Sequence, residues 1–158
     1  MLALVSLALL AAQDFTARAE CVTDGSTVSL NNCAYEDVQL ERARMEHYLA
    51  VALEAARSGD AASAEYGGDV TQQAAYLAAA QAAWTAYAEI TCDGVYDQWR
   101  NGSIRNLMHH GCMSRMIRER THAIWRDHLT FMDSTPPVLP EPTEPAAADL
   151  PAPVRPDL

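Results

Sequence analysis

The side chains in this chain best suited to chemistry are four cysteines, Cys21, Cys33, Cys92 and Cys112, and five histidines, His47, His109, His110, His122 and His128. Such residues can hold a metal, supply a thiolate nucleophile or pair as disulfides. Metal binding is poorly served, because no CxxC or HxxxH pair occurs. The adjacent His109 and His110 would point about 100° apart on a helix, which is poor chelating geometry. The disulfide reading is stronger. Cys92 lies ten residues before Gly102 and Cys112 lies ten after it. An antiparallel helical hairpin turning at Asn101-Gly102 therefore brings the two cysteines level. A disulfide needs Cα atoms about 5.5 Å apart, whereas packed helix axes sit about 8 to 10 Å apart, so the helices must approach closely there. Gly94 and Gly111 stand beside these cysteines, and clearance for that approach is a reason to carry glycine in a helix; a helix break at Asp93-Gly94 is the alternative. By elimination Cys21 pairs with Cys33, tying the incoming chain to the first turn of the first helix.

Six arginines, Arg100, Arg105, Arg115, Arg118, Arg120 and Arg126, fall in a stretch with Glu119 as its one acid. The structural reading pairs them with the acids of the first helix, Glu36, Asp37, Glu41, Glu46 and Glu54. The functional reading makes them a contact face for an anionic ligand. The structural one is favoured, since several weak pairs can set helix orientation. Hydrolase and nucleotide-binding patterns are missing: there is no GxSxG, no HExxH and no glycine-rich phosphate loop. No catalytic residue, cofactor or metal ligand is assigned, and the chain reads as a binding protein, not an enzyme.

The compartment follows from the N-terminus. Residues 1–19 open with an uncharged apolar run from Leu2 to Ala12 and end in Ala17-Arg18-Ala19, the pattern of a secretory signal peptide cut before Glu20. The run is well short of the roughly 20 residues a bilayer span requires, so no stable membrane span is expected. A periplasmic or secreted location follows, where paired cysteines persist as disulfides. The formal charge is −10, and removing Asp14 and Arg18 with the leader leaves it unchanged. Such a body repels nucleic acid and attracts basic partners at low salt.

The elements that must position these residues are helices. All eight prolines lie between Pro136 and Pro156, so residues 1 to 135 can form uninterrupted helices, while residues 135–158 read as a disordered acidic proline-rich tail with PxxP matches of the kind any such tail produces. In residues 20–134 the apolar spacing supports three helices and an all-α, three-helix bundle. Helix one runs from about Asn32 to Arg57 with Tyr35, Val38, Met45, Tyr48, Leu49, Ala52 and Leu53 inward, and Ser58-Gly59-Asp60 reads as its stop. Residues 59 to 70 form a loop. Helix two starts near Thr71 with Leu77, Ala80, Trp84, Tyr87, Thr91, Val95 and Trp99 inward. Helix three begins after Ser103 as N-cap and buries Leu107, Met108, Cys112, Met116, Ile124 and Leu129.

These residues also carry a resemblance. Ala80-Gln81-Ala82-Ala83-Trp84-Thr85-Ala86-Tyr87 running on to Cys92, then Gly102-Ser103-Ile104, then Cys112-Met113-Ser114-Arg115 followed by Arg118-Glu119-Arg120-Thr121, resemble the lysozyme inhibitor LprI-like N-terminal domain family. The likeness spans most of residues 20 to 130 and does not reach the tail. It departs at Ala88-Glu89, where the family usually has Arg-Asp, and at Met45-Glu46-His47-Tyr48, where a Leu-Asn pair is common. It implies a small cysteine-stapled helical domain of the bacterial envelope and a protein partner of the lysozyme class. It assigns no inhibitory contact: Gln81, Trp84, Tyr87, Gly102, Ser103, Arg115 and Arg118 are expected to build the fold, with Trp84 and Tyr87 in the core. The candidate interface is the acids of helix one and the loop around Tyr66. The rival expectations are an envelope assembly module that acts through its tail, and a small-ligand helical protein with a polar pocket. Oligomeric state is left open.

Overall fold

The computed structural model describes Cys21, residues 23–66 and residues 70–143. The expected signal peptide, Gly67-Gly68 and the chain from Glu144 onward lie outside the described residues. Three helices form the bundle: α1 Thr27–Glu65, α2 Gln73–Gln98 and α3 Arg105–His128. They run up, down and up. Thus α1 and α3 are parallel neighbours with the most extensive contact, and α2 lies antiparallel to both. None of these helices is long and apolar enough to cross a membrane.

The α1 N-terminus is set by short polar side chains. Ser26 accepts a hydrogen bond from the Ser29 amide at 3.2 Å, and Asp24 accepts one from the Ser26 amide at 2.8 Å. Gly25 between them has φ 80°, a conformation that L side chains rarely adopt. The helix therefore begins five residues earlier than the apolar spacing suggests, and Cys33 sits in its second turn, not its first. The bridge from Cys21 to Cys33 has a Cα–Cα distance of 5.4 Å.

At the other end α1 runs straight through Ser58-Gly59-Asp60. Those residues are not a stop, because Asp60 serves a different helix. Its Oδ1 accepts from the Gln73 amide at 2.9 Å and the Thr71 hydroxyl at 2.6 Å, while Oδ2 accepts from the Ala74 amide at 3.1 Å. Two of the orphan donors that begin α2 are thus satisfied across the interhelix turn. Gln72, the residue at the cap position, makes no side-chain cap of its own.

Cys92 and Cys112 are joined with a Cα–Cα distance of 5.6 Å, as the hairpin spacing requires. The turn at Asn101-Gly102 is present, and a Cβ on Gly102 would stand 3.3 Å from the Trp99 carbonyl oxygen. Ser103 does not cap α3, whose cap position is Ile104 with no side-chain bond. Gly94 and Gly111 give no clearance at the bridge: an added Cβ at either meets nothing within 4 Å, and α2 continues unbroken past Gly94.

The core takes Val38, Met45, Tyr48 and Ala52 from α1, Leu77, Ala88 and Cys92 from α2, and Met113, Met116, Ile117 and Ile124 from α3. On α2 this stripe is rotated from the one the large residues suggest. Ala88 is buried and Tyr87 is 61 % exposed. Cys92 must face α3 to form its bridge, and positions 77, 84, 88 and 95 share its side of a 3.6-residue helix whereas 87 falls on the far side. Tyr35 is likewise exposed.

The hydrogen bonds from Thr71 and then Ala74 hold the Asp60 carboxyl below its ordinary value. A depressed carboxylate contributes stability above its unfolded pKa and loses it as pH falls through the folded value. Asp60→Ala should therefore lower the urea midpoint at pH 7, and the gap between variant and parent should close below about pH 4.

Candidate functional site

Asp37 and Glu41 stand one turn apart on α1 and are bridged by one arginine from α3. The Arg118 guanidinium donates to Glu41 Oε1 at 2.9 Å and to Asp37 Oδ2 at 2.7 Å. Arg44 closes the group at 3.4 Å from Glu41 Oε2. Glu41 is 1 % exposed, so its charge is tolerable only because it is paired. Burial alone would push Arg118 down, but the bonds and charges of Glu41 and Asp37 outweigh it and raise its pKa above the ordinary arginine value. Of the six clustered arginines this one reaches the first helix. Arg100, in the turn after α2, pairs with Asp97 at that helix's end, and Arg115 with Glu119 and Arg126 with Asp127 pair within α3.

Arg120 turns the other way. Its Nε donates to Gln81 Oε1 at 2.9 Å, and its guanidinium carbon lies 6.0 Å from the centroid of the Trp84 ring. Burial lowers its pKa, opposed by the charge of Asp127. Gln81 in turn places its amide 3.7 Å from Met45 Sδ, so a single side chain of α2 touches both neighbouring helices. The sequence motif Gln81-x-x-Trp84 and Arg120 are therefore two halves of one seam. Trp84 packs against the core as expected, but Tyr87 does not. Arg115 and Ser103 lie at the surface.

Beyond α3 the proline-rich segment folds back as a strap instead of leaving the body at residue 135. The Val138 amide donates to the Leu129 carbonyl at 2.9 Å, the Trp125 indole to Leu139 at 3.0 Å, and the Tyr48 hydroxyl to Pro140 at 2.8 Å. Arg44 reaches the Thr143 carbonyl at 3.3 Å, and Glu141 lies 3.1 Å from His122 Nε2. Prolines lack the amide that a helix or sheet would need, but their carbonyls remain free to accept. Leu139 inserts against the core. Burial raises the Tyr48 hydroxyl pKa, with Arg44 opposing, which keeps it a proton donor. The sequence offered no signal for this, since the acceptors are backbone atoms and the donors sit on two different helices. Strap, α1 and α3 enclose a cleft of about 340 Å³ lined by Arg44, Arg118, Glu119, His122 and Arg126 among others. Its cations have acidic partners, so it holds little uncompensated charge. All four cysteines are in disulfides, and among the described residues no group of three or more His, Cys, Asp or Glu could hold a metal ion.

The outward surface is more distinctive. Along α1, Glu36, Glu46, Glu54 and Glu65 are exposed, with Arg57 beside Glu54 at 3.4 Å. Helical geometry puts them within about 100° of one another, along a ridge on the order of 40 Å long. Asp37 and Glu41 leave the expected interface because Arg118 claims them. Glu65 joins it because the helix continues past Gly59. Tyr66, 85 % exposed, stands at the end of the ridge.

Two stability outcomes follow. Arg118→Leu should lose about 3 to 5 kcal/mol by urea titration, as expected when a buried carboxylate is left unpaired, and adding Glu41→Gln should recover much of it. Tyr48→Phe should lose about 1 kcal/mol and speed amide exchange at Val138 by loosening the strap.

A scan against protein-family models matches residues 17–124 to the model described as lysozyme inhibitor LprI. The matched stretch holds both disulfides, the Arg118 group and the Gln81–Arg120 seam, and stops just before Trp125 and the strap. No curated protein matches the chain, and no solved structure does. The family match covers well over half of the chain and all but the last turn of the bundle, and the chain belongs to the lysozyme inhibitor LprI family.

Proposed function

We propose that this protein is an exported inhibitor that binds lysozyme-type muramidases and approaches them through the acidic ridge of α1. The observation that carries the reading is the ridge itself: four exposed glutamates on one side of one helix, in a family described as lysozyme inhibitors. A long row of like charge speeds encounter with a basic enzyme and is screened by salt. Two disulfides suit an oxidising, extracytoplasmic compartment, and residues 1–19 supply the export signal.

The test is lysis of a cell-wall suspension by animal and bacterial muramidases, with and without the oxidised, exported protein. Inhibition should appear at low salt and weaken steeply as salt rises. Replacing Glu36, Glu46 and Glu54 with Gln together should slow association about tenfold or more while leaving the thermal midpoint unchanged. Inhibition indifferent to both salt and these replacements would remove the ridge from the mechanism. Inhibition of no muramidase at all, joined to a cellular phenotype that needs residues 144–158, would favour an envelope assembly module acting through the tail; a cut at 144 leaves the docked strap in place.

A further inference from the structure

The face of α2 turned away from the core is unlike the outside of an ordinary surface helix. From Gln73 to Ala88 it contains no charged residue. Tyr76 and Ile90 are each 74 % exposed and Tyr87 61 %. On a 3.6-residue helix Tyr76, Ala79, Ala83, Tyr87, Ile90 and Gly94 form one stripe, diametrically opposite the disulfide-bonded Cys92. The outer face of a solvated helix normally carries charge, and a contiguous exposed apolar surface marks an interaction site.

We infer that a second copy of this chain covers the stripe, α2 packing antiparallel on α2 about a two-fold axis at Ala83. The spacing is self-complementary. In an antiparallel pair centred on Ala83, Tyr76 lies level with the partner's Ile90, and Tyr87 lies level with the partner's Ala79, a large ring beside a small residue in both directions. Such reciprocity is what a two-fold interface requires. Alanine at the crossing point permits a close axial approach, toward the short end of the usual range of about 8 to 10 Å.

Of the two ways of pairing α2 with itself, the charges favour the antiparallel one. All three acids of α2, Glu89, Asp93 and Asp97, lie beyond the uncharged segment. Antiparallel pairing sets each copy's acidic end against the partner's uncharged end and keeps the two Glu89 residues about 18 Å apart along the axis, more than a Debye length of about 8 Å at physiological salt. A parallel pair would set them level. Asp97 is moreover paired within the chain with Arg100, and Asp93 Oδ1 lies 3.4 Å from His109 Nε2. A basic partner gains nothing from a stripe without charge, whereas an identical stripe meets it without desolvating an ion. The acidic ridge lies on a different helix and is not used. The contact is one helix pair about 21 Å long between positions 76 and 90, at the low end of specific interfaces, so the dimer is a weak one.

Sedimentation of the oxidised, exported protein tests this without any muramidase, so it stands or falls separately from the inhibitory reading. At about 100 µM the mass should approach twice the monomer and fall to one on dilution. Ala83→Glu, at an exposed position, should be monomeric throughout with an unchanged circular dichroism spectrum and thermal midpoint. Ala83→Cys should cross-link to itself under mild oxidation at least tenfold faster than Ala55→Cys on the outside of α1. A wild-type monomer at 100 µM, or a dimer that persists in Ala83→Glu, overturns the proposal. So does a monomer whose muramidase binding is abolished by Ala83→Glu, which would give the stripe to the enzyme instead.

Discussion

The bond between Cys92 and Cys112 does more than join two helices. It holds two backbones at 5.6 Å, closer than side-chain packing alone would bring them, and it settles which meridian of α2 looks inward. Once Cys92 faces α3, Leu77, Trp84, Ala88 and Val95 follow it toward the core, and Tyr76, Ala83, Tyr87 and Ile90 are carried to the outside. An alanine-rich helix is apolar nearly all round and has little preference of its own for one rotation. The covalent link supplies that preference, and through it decides both what the core contains and what the surface presents.

Polar contacts then define the seams the apolar residues leave loosely specified. The fork of Arg118 spans Asp37 and Glu41 and so sets the height of α3 against α1. Arg120, two residues further along α3, reaches Gln81 and Trp84 and sets α3 against α2. Two arginines separated by a single glutamate thus register the same helix against two neighbours, because successive even positions on a helix diverge by about 200°. The cations that look like a stripe in the sequence are dispersed around the cylinder, and half of them, Arg100, Arg115 and Arg126, pair with acids close by in the chain.

The start of α2 and the strap are held by neighbours. Asp60, inside α1, caps α2; Tyr48 on α1 and Trp125 on α3 hold carbonyls of the strap. Each such bond couples elements distant in the chain, so loss of one end loosens another. With the arginines and two acids spent internally, the surface divides into a charged ridge on α1 and an uncharged stripe on α2.

Much of this is legible in the sequence. Three helices followed from apolar spacing and from the absence of proline before residue 136; the hairpin pairing followed from equal distances about Gly102. Those features are local or nearly so, and periodicity and chain geometry determine them. The tertiary structure alone decided that Ser58-Gly59-Asp60 continues a helix, that Tyr87 is outside while Ala88 is inside, that Gly94 and Gly111 clear no contact, and that the proline-rich segment docks as far as Thr143. Each of these turns on a partner far away in sequence: the α2 amides that take up Asp60, the α3 cysteine that rotates α2, the two hydroxyl and indole donors that capture the strap. Local propensity assigns a residue its preferred element, but which side of that element is buried depends on what arrives from elsewhere in the chain to meet it.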